Sequence, residues 1–170
     1  MHQRSAAFLL GAWIMGSLFM IFVATQNFQM AGTLSTPDTH AALREMAGRL
    51  NQLFFVKWEF AELALGIALV ALAWFGMRLR LLTALSVTPL ALVAVQRFFV
   101  TPRMLSLSAQ LDNAALAGDF AKLHALYGIM EVLKLVLLFA LALVLLPGWR
   151  RNTAVQIDAV DYAHHGHVDR

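Results

Sequence analysis

Six ionisable side chains sit inside otherwise apolar stretches of this 170-residue chain: Lys57, Glu59, Glu62, Arg97, Glu131 and Lys134. Three acids stand against three bases. An unpaired charge at mid-bilayer costs about 2.5–3.5 kcal/mol on insertion scales, so such groups are expected to face one another, an aqueous cavity or the interface. Carboxylates in that setting can carry a proton or an ion, and an arginine among them can hold an anionic or amphipathic ligand. The competing reading is a structural ion-pair network that fixes helix register. Lys57 and Glu59 are shallow enough to snorkel to the interface.

The spacing of these residues adds depth. Glu62 lies 15 residues before Met77, Arg97 lies 16 after Leu81, and Glu131 lies 15 before Leu146. At 1.5 Å per residue, each falls roughly 22–24 Å from one membrane boundary, which predicts a shared layer in the outer third of the bilayer. His124, Tyr127, Glu131 and Lys134 recur at helical spacing, a single polar face. Glu59 and Glu62 share a face as well. Thr25, Gln26 and Gln29 end the first apolar run on the same side. The pattern predicts an outward-facing site of Glu59, Glu62, Arg97, Tyr127, Glu131 and Lys134, with Arg97 as its positive centre and Arg103 and His124 at its mouth.

Two histidine features carry other chemistry. His124 could ligate haem, although no second histidine lies within a span to complete a bis-histidine pair. His164, His165 and His167, flanked by Asp161 and Asp169, are weak metal-ligand candidates in a polar tail, and their spacing matches no closed site. No Gly-rich phosphate loop, H-E-x-x-H motif or Ser-His-Asp set is present, so the expectation is a non-enzymatic protein. The chain has no cysteine, which excludes disulfides and thiolate chemistry.

The elements that must hold these residues follow from composition and punctuation. Apolar residues make up 60% of the chain and charged residues 14%, against about 45–50% and about 25% in soluble domains. The mean hydropathy is +0.68. This composition predicts an all-α integral membrane four-helix bundle, with spans at about 6–26, 53–77, 81–100 and 123–146 in one unit over 1–148. A flexible polar cytoplasmic tail is expected over 149–170. Spanning segments must be helical because hydrocarbon leaves no partner for an open backbone. The 19-residue run from Ala6 to Ala24 exceeds a signal-peptide core and reads as an uncleaved first span.

Thr36-Pro37-Asp38 reads as a helix start, opening a short amphipathic helix (Leu43, Met46, Leu50, Leu53) that runs into the second span. Pro89 predicts a kink, Thr101-Pro102 the close of the third span, Gly118-Asp119 the start of the fourth and Pro147-Gly148 its end. Gly11, Gly16 and Ser17 suggest close helix packing, and Trp13, Trp58, Trp74 and Trp149 packing or interface aromatics.

Arg4, Arg78/Arg80 and Arg150/Arg151 fall on one side of a four-span chain. The positive-inside rule then places both termini in the cytoplasm, in a bacterial inner membrane. The net charge of +3 is topogenic arginine without an aromatic-interleaved basic patch, so no nucleic-acid partner is expected. The partners expected are the lipid bilayer and a membrane-protein partner or a second copy of the chain.

Span three ends in Phe98-Phe99-Val100-Thr101-Pro102-Arg103, and the next helix opens with Phe120-Ala121-Lys122-Leu123-His124-Ala125-Leu126. Over residues 6–146 this resembles the transmembrane protein 205-like family of four-helix membrane proteins. There a span ending in Ser/Thr-Pro-Arg is followed by Phe-x-x-Leu-His. The resemblance implies that Pro102, Arg103 and His124 occupy the family's characteristic positions; it implies fold and location, and no established activity. Ala24-Thr25-Gln26-Asn27-Phe28, Lys57-Trp58-Glu59 and Glu131/Lys134 depart from the family pattern. Three functional readings follow: an accessory or transport-related protein with a charged intramembrane site, a haem-binding membrane redox protein, or a small structural subunit of a larger membrane complex.

Overall fold

The computed structural model describes residues 2–77, 80–110 and 114–145. The expectations placed on Arg78, Pro147-Gly148, Trp149, Arg150/Arg151, the 149–170 tail and its histidines lie outside the described residues. Helix α1 spans His2–Leu34 and α2 spans His40–Ala71, extended by a π-helical segment, Leu72–Met77. Helix α3 spans Arg80–Val95, passes through a second π-helical segment, Gln96–Val100, and continues as α4, Thr101–Ser108. Helix α5 spans Ala114–Leu145. The fold is all-α, and four stretches are long and apolar enough to cross a membrane: His2–Leu34, His40–Met77, Arg80–Ser108 and Leu116–Leu145.

The helices close into a ring in which α1 packs on α2 and α5, and α3 packs on the same two neighbours. Gln3 Nε2 donates to the Leu145 carbonyl at 2.9 Å, and the His2 ring lies against Gly76. The start of α1, the end of the second span and the end of α5 therefore meet at one end of the bundle, termed inner below. The 35–39 turn and the end of α4 lie at the outer end. Phe8, Phe19, Phe22, Phe75, Phe99 and Ile129 are among the large apolar side chains left exposed around the outside. In lipid such a surface is no cost; association has to come from close packing and buried polar contacts.

Three boundaries differ from the sequence reading, each for a local reason. Helix α2 starts at His40 rather than at Pro37, because the Thr36 carbonyl accepts from the Thr39 and His40 amides and the Thr39 hydroxyl accepts from the Thr36 amide. The amphipathic segment then runs unbroken into the span. Thr101-Pro102 does not end the third span; Pro102 falls in the first turn of α4, where the π-helical segment has reset the ladder and a missing N–H is harmless. Gly118 and Asp119 lie inside α5, and Asp119 pairs there with Lys122 at 3.1 Å. Of the two span-one glycines, Gly16 sits against Trp58, so close that a Cβ would lie 2.0 Å from the ring, whereas Gly11 has nothing within 4 Å.

Candidate functional site: a buried carboxylate–lysine cluster

The buried face of α2 reads Asn51, Glu59, Glu62, Gly66 and Leu69 from the outer end inward. Its helical spacing sends all of them toward the ring's interior. Glu62 is fully buried, and its Oε1 accepts three donors from two other helices. Trp13 Nε1 of α1 donates at 3.0 Å, Ser17 Oγ of α1 at 2.9 Å, and Lys134 Nζ of α5 at 2.6 Å. Trp13 and Ser17 reach the same oxygen because they stand four residues apart on one face of α1.

Lys134 is likewise fully buried and holds a second carboxylate, Glu131 Oε1, at 2.7 Å. Gln96 Nε2, also fully buried, donates to Glu131 Oε1 at 3.2 Å and to the Tyr127 carbonyl at 3.4 Å. One ammonium thus serves two acids, and all four helices of the ring contribute to this layer.

A second layer lies one turn outward. Glu59 is fully buried; its Oε1 accepts from Thr101 Oγ1 at 2.5 Å, and its Oε2 faces Arg97 Nε at 3.9 Å, beyond hydrogen-bond reach. The Tyr127 hydroxyl is turned toward the same carboxylate, and the Tyr127 ring meets Phe55 edge-on, centroids 5.9 Å apart. Farther out, Asn27 Nδ2 donates to Asn51 Oδ1 at 2.6 Å, and Asn51 Nδ2 donates to the Ala24 carbonyl at 3.2 Å.

Inward of Glu62 the interior holds no buried charge among the described residues. Its buried polar side chains are Thr83 and Ser86, and Ser86 Oγ donates to the Leu82 carbonyl at 2.7 Å. Ala6, Leu10, Leu69, Ala73, Leu82, Leu138, Leu141 and Leu145 form one buried cluster. A cleft of about 390 Å³ at that inner end is walled by Trp74, Phe75, Arg80 and Thr83, remote from the carboxylates.

The structure therefore brings together Glu59, Glu62, Arg97, Tyr127, Glu131 and Lys134. Glu62 and Glu131 share a layer as the depth calculation predicts, but Arg97 belongs with Glu59, and Lys134 rather than Arg97 is the positive centre. Neighbouring residues of a helix point in different directions, and Gln96, at the start of the π-helical segment, faces Glu131 while Arg97 comes to the α2 side. Lys57 is exposed, which leaves three acids against two bases in the interior instead of an even balance. Arg103 and His124 are exposed and make no hydrogen bond or ion pair with the cluster; His124 stacks on Phe120. Trp13, Ser17, Gln96 and Thr101 are cluster members that the charges alone did not mark. Among the described residues, no three His, Cys, Asp or Glu side chains are grouped so as to hold a metal ion.

No known protein family matches the chain, and no curated protein or solved structure is similar to it. The chemistry of the cluster is accordingly argued from its own atoms.

Proposed function

We propose that this chain is an accessory or transport-related integral membrane protein of a bacterial inner membrane, both termini cytoplasmic, whose outer half holds a proton-exchanging site open to one side only. The observation that carries this reading is the single ammonium of Lys134 shared by Glu62 and Glu131. Two carboxylates on one cation leave one negative charge over in a buried layer, and binding a proton removes it. Glu62 Oε1 already accepts three donors. Glu131, with Lys134 and Gln96 on one oxygen, is the acid assigned the proton.

The charged and titratable groups facing Glu131 are Glu62 from α2 and Lys134 and Tyr127 from α5, with the Glu59–Arg97 pair in the layer one turn outward. Helix α1 offers only the neutral donors Trp13 and Ser17. The polar column Asn51–Glu59–Glu62 supports access from the outer end, and the apolar cluster beneath it argues against a path through the bundle. A proton held from one side suits a protein that senses, gates or supports a partner's transport. The arginine pattern of Arg4 and Arg80 supports the location.

The natural absence of cysteine makes the test direct. Single cysteines at Thr36, Asn51, Ser86 and Arg80 are exposed to a membrane-impermeant maleimide in intact cells. Thr36→Cys should label fast and Asn51→Cys slowly, while Ser86→Cys and Arg80→Cys stay unlabelled. Labelling of Ser86→Cys as readily as Asn51→Cys would mean a continuous path, and labelling of Arg80→Cys would invert the orientation.

A further inference from the structure

Arg97 is the one member of the cluster that reaches the outside of the bundle. Its side chain is 20% exposed; its Nε is buried and faces Glu59 Oε2 at 3.9 Å without a hydrogen bond, so the outer end of the guanidinium is the part a group outside the bundle can meet. The guanidinium lies over the Phe60 ring, 4.5 Å from the centroid. Phe60, Phe98 and Phe99 are all exposed on the lipid-facing surface around it. Ring stacking fixes the plane of the fork but satisfies none of its donors.

Depth narrows what could satisfy them. Arg97 lies 17 residues after Arg80, roughly 25 Å along the helix, against a hydrocarbon thickness of about 30 Å. The fork is thus about 5 Å below the outer boundary, under the headgroup layer and within snorkelling reach of it. Lys57 stands one turn outward of Phe60 on the same stripe of α2 and is exposed. Two cations on a lipid-facing seam, one of them a guanidinium whose outer end is held flat on Phe60, match a phosphate that arrives from above with apolar chains below.

We infer that Arg97, assisted by Lys57, binds the phosphate of an anionic phospholipid in the outer leaflet, its acyl chains lying along Phe60, Phe98 and Phe99. The test is native mass spectrometry of the full chain after exchange into phosphatidylglycerol or phosphatidylcholine. The native protein should retain one phosphatidylglycerol in preference to phosphatidylcholine. Arg97→Gln should lose that retention, Arg97→Lys should weaken it by keeping charge without the fork, and Lys57→Gln should reduce it less. Because Arg97→Gln could disturb the fold, Arg97→Lys is the decisive variant if Arg97→Gln does not purify.

Arg44→Gln is the control, since Arg44 stacks on Phe28 at the same end but beyond the hydrocarbon. Equal loss in Arg44→Gln would overturn the site in favour of general charge attraction. Displacement of the lipid by millimolar inorganic phosphate would overturn it in favour of a soluble anion. Equal retention of the two lipids, or full retention in both Arg97 variants, would overturn it outright.

Discussion

Toward the outer end, α2 presents Asn51, Glu59 and Glu62 to its neighbours; toward Met77 the same face presents Gly66, Leu69 and then Ala73. Helix α5 divides in the same way, with Tyr127, Glu131 and Lys134 buried outward and Leu138, Leu141 and Leu145 buried inward. The two halves hold the ring together by different physics. The inner half relies on shape, with small residues such as Ala6 and Ala73 letting backbones approach. The outer half relies on charge and directed hydrogen bonds in a medium without water, where each partner is costly to remove. A packed apolar core tolerates replacement by similar volumes, whereas a shared-ammonium cluster does not tolerate losing the ammonium.

The largest difference is expected from Lys134→Met. Removing one partner of a buried ion pair typically costs about 3–5 kcal/mol, because the other charge is left uncompensated. Thermal unfolding in detergent should show a loss of that order, with a substantial part restored in Lys134→Met/Glu62→Gln. If the single change costs under about 1 kcal/mol, the outer half is not held by this cluster.

Leu138→Ala in the inner half should cost about 2–5 kcal/mol by cavity formation, and Glu62→Gln should not rescue it. Rescue there would erase the distinction between the halves. Gly16→Ala tests the junction where α1 meets Trp58. A Cβ placed 2.0 Å from the ring must displace it, for a loss of about 1–3 kcal/mol, while Gly11→Ala, with open space, should be silent.

Trp13→Phe keeps most of the ring but removes one of three donors to Glu62, for about 1–3 kcal/mol. The smallest effect belongs to Arg49→Ala. Arg49 and Glu45 pair at 2.6 Å, but both are largely exposed near the outer end of α2, and no measurable change is expected.

These two halves differed in how well the sequence announced them. The number of spans follows from apolar run length, because hydrocarbon sets a minimum that few soluble helices meet. That Glu59, Glu62, Glu131 and Lys134 turn inward follows from the cost of the alternative. Their partners did not follow, because a neutral Trp13, Ser17, Gln96 or Thr101 in an apolar window costs little wherever it points.

Counting 1.5 Å per residue places Arg97 along the helix axis but does not say which neighbour it faces, and Gln96, one residue earlier, takes the place opposite Glu131 while Arg97 faces Glu59. Thr101-Pro102 reads as a stop, but a fresh first turn begins beneath the proline where α4 follows the π-helical segment. The role of Lys57 depended on which way α2 turns, and a residue at the rim can snorkel or pair with equal ease.

The central claim is that the shared-ammonium layer carries a proton on Glu131. Infrared spectroscopy of the purified chain in lipid, titrated across neutral pH, reads that proton through the C=O stretch of a protonated carboxyl group. The native protein should show this band at neutral pH, and Glu131→Gln should remove it while Glu45→Gln leaves it unchanged. A native protein with no such band, or a band that survives in Glu131→Gln, would contradict the account; a missing band beside an intact one-sided labelling pattern would reject the proton while leaving the one-sided site in place.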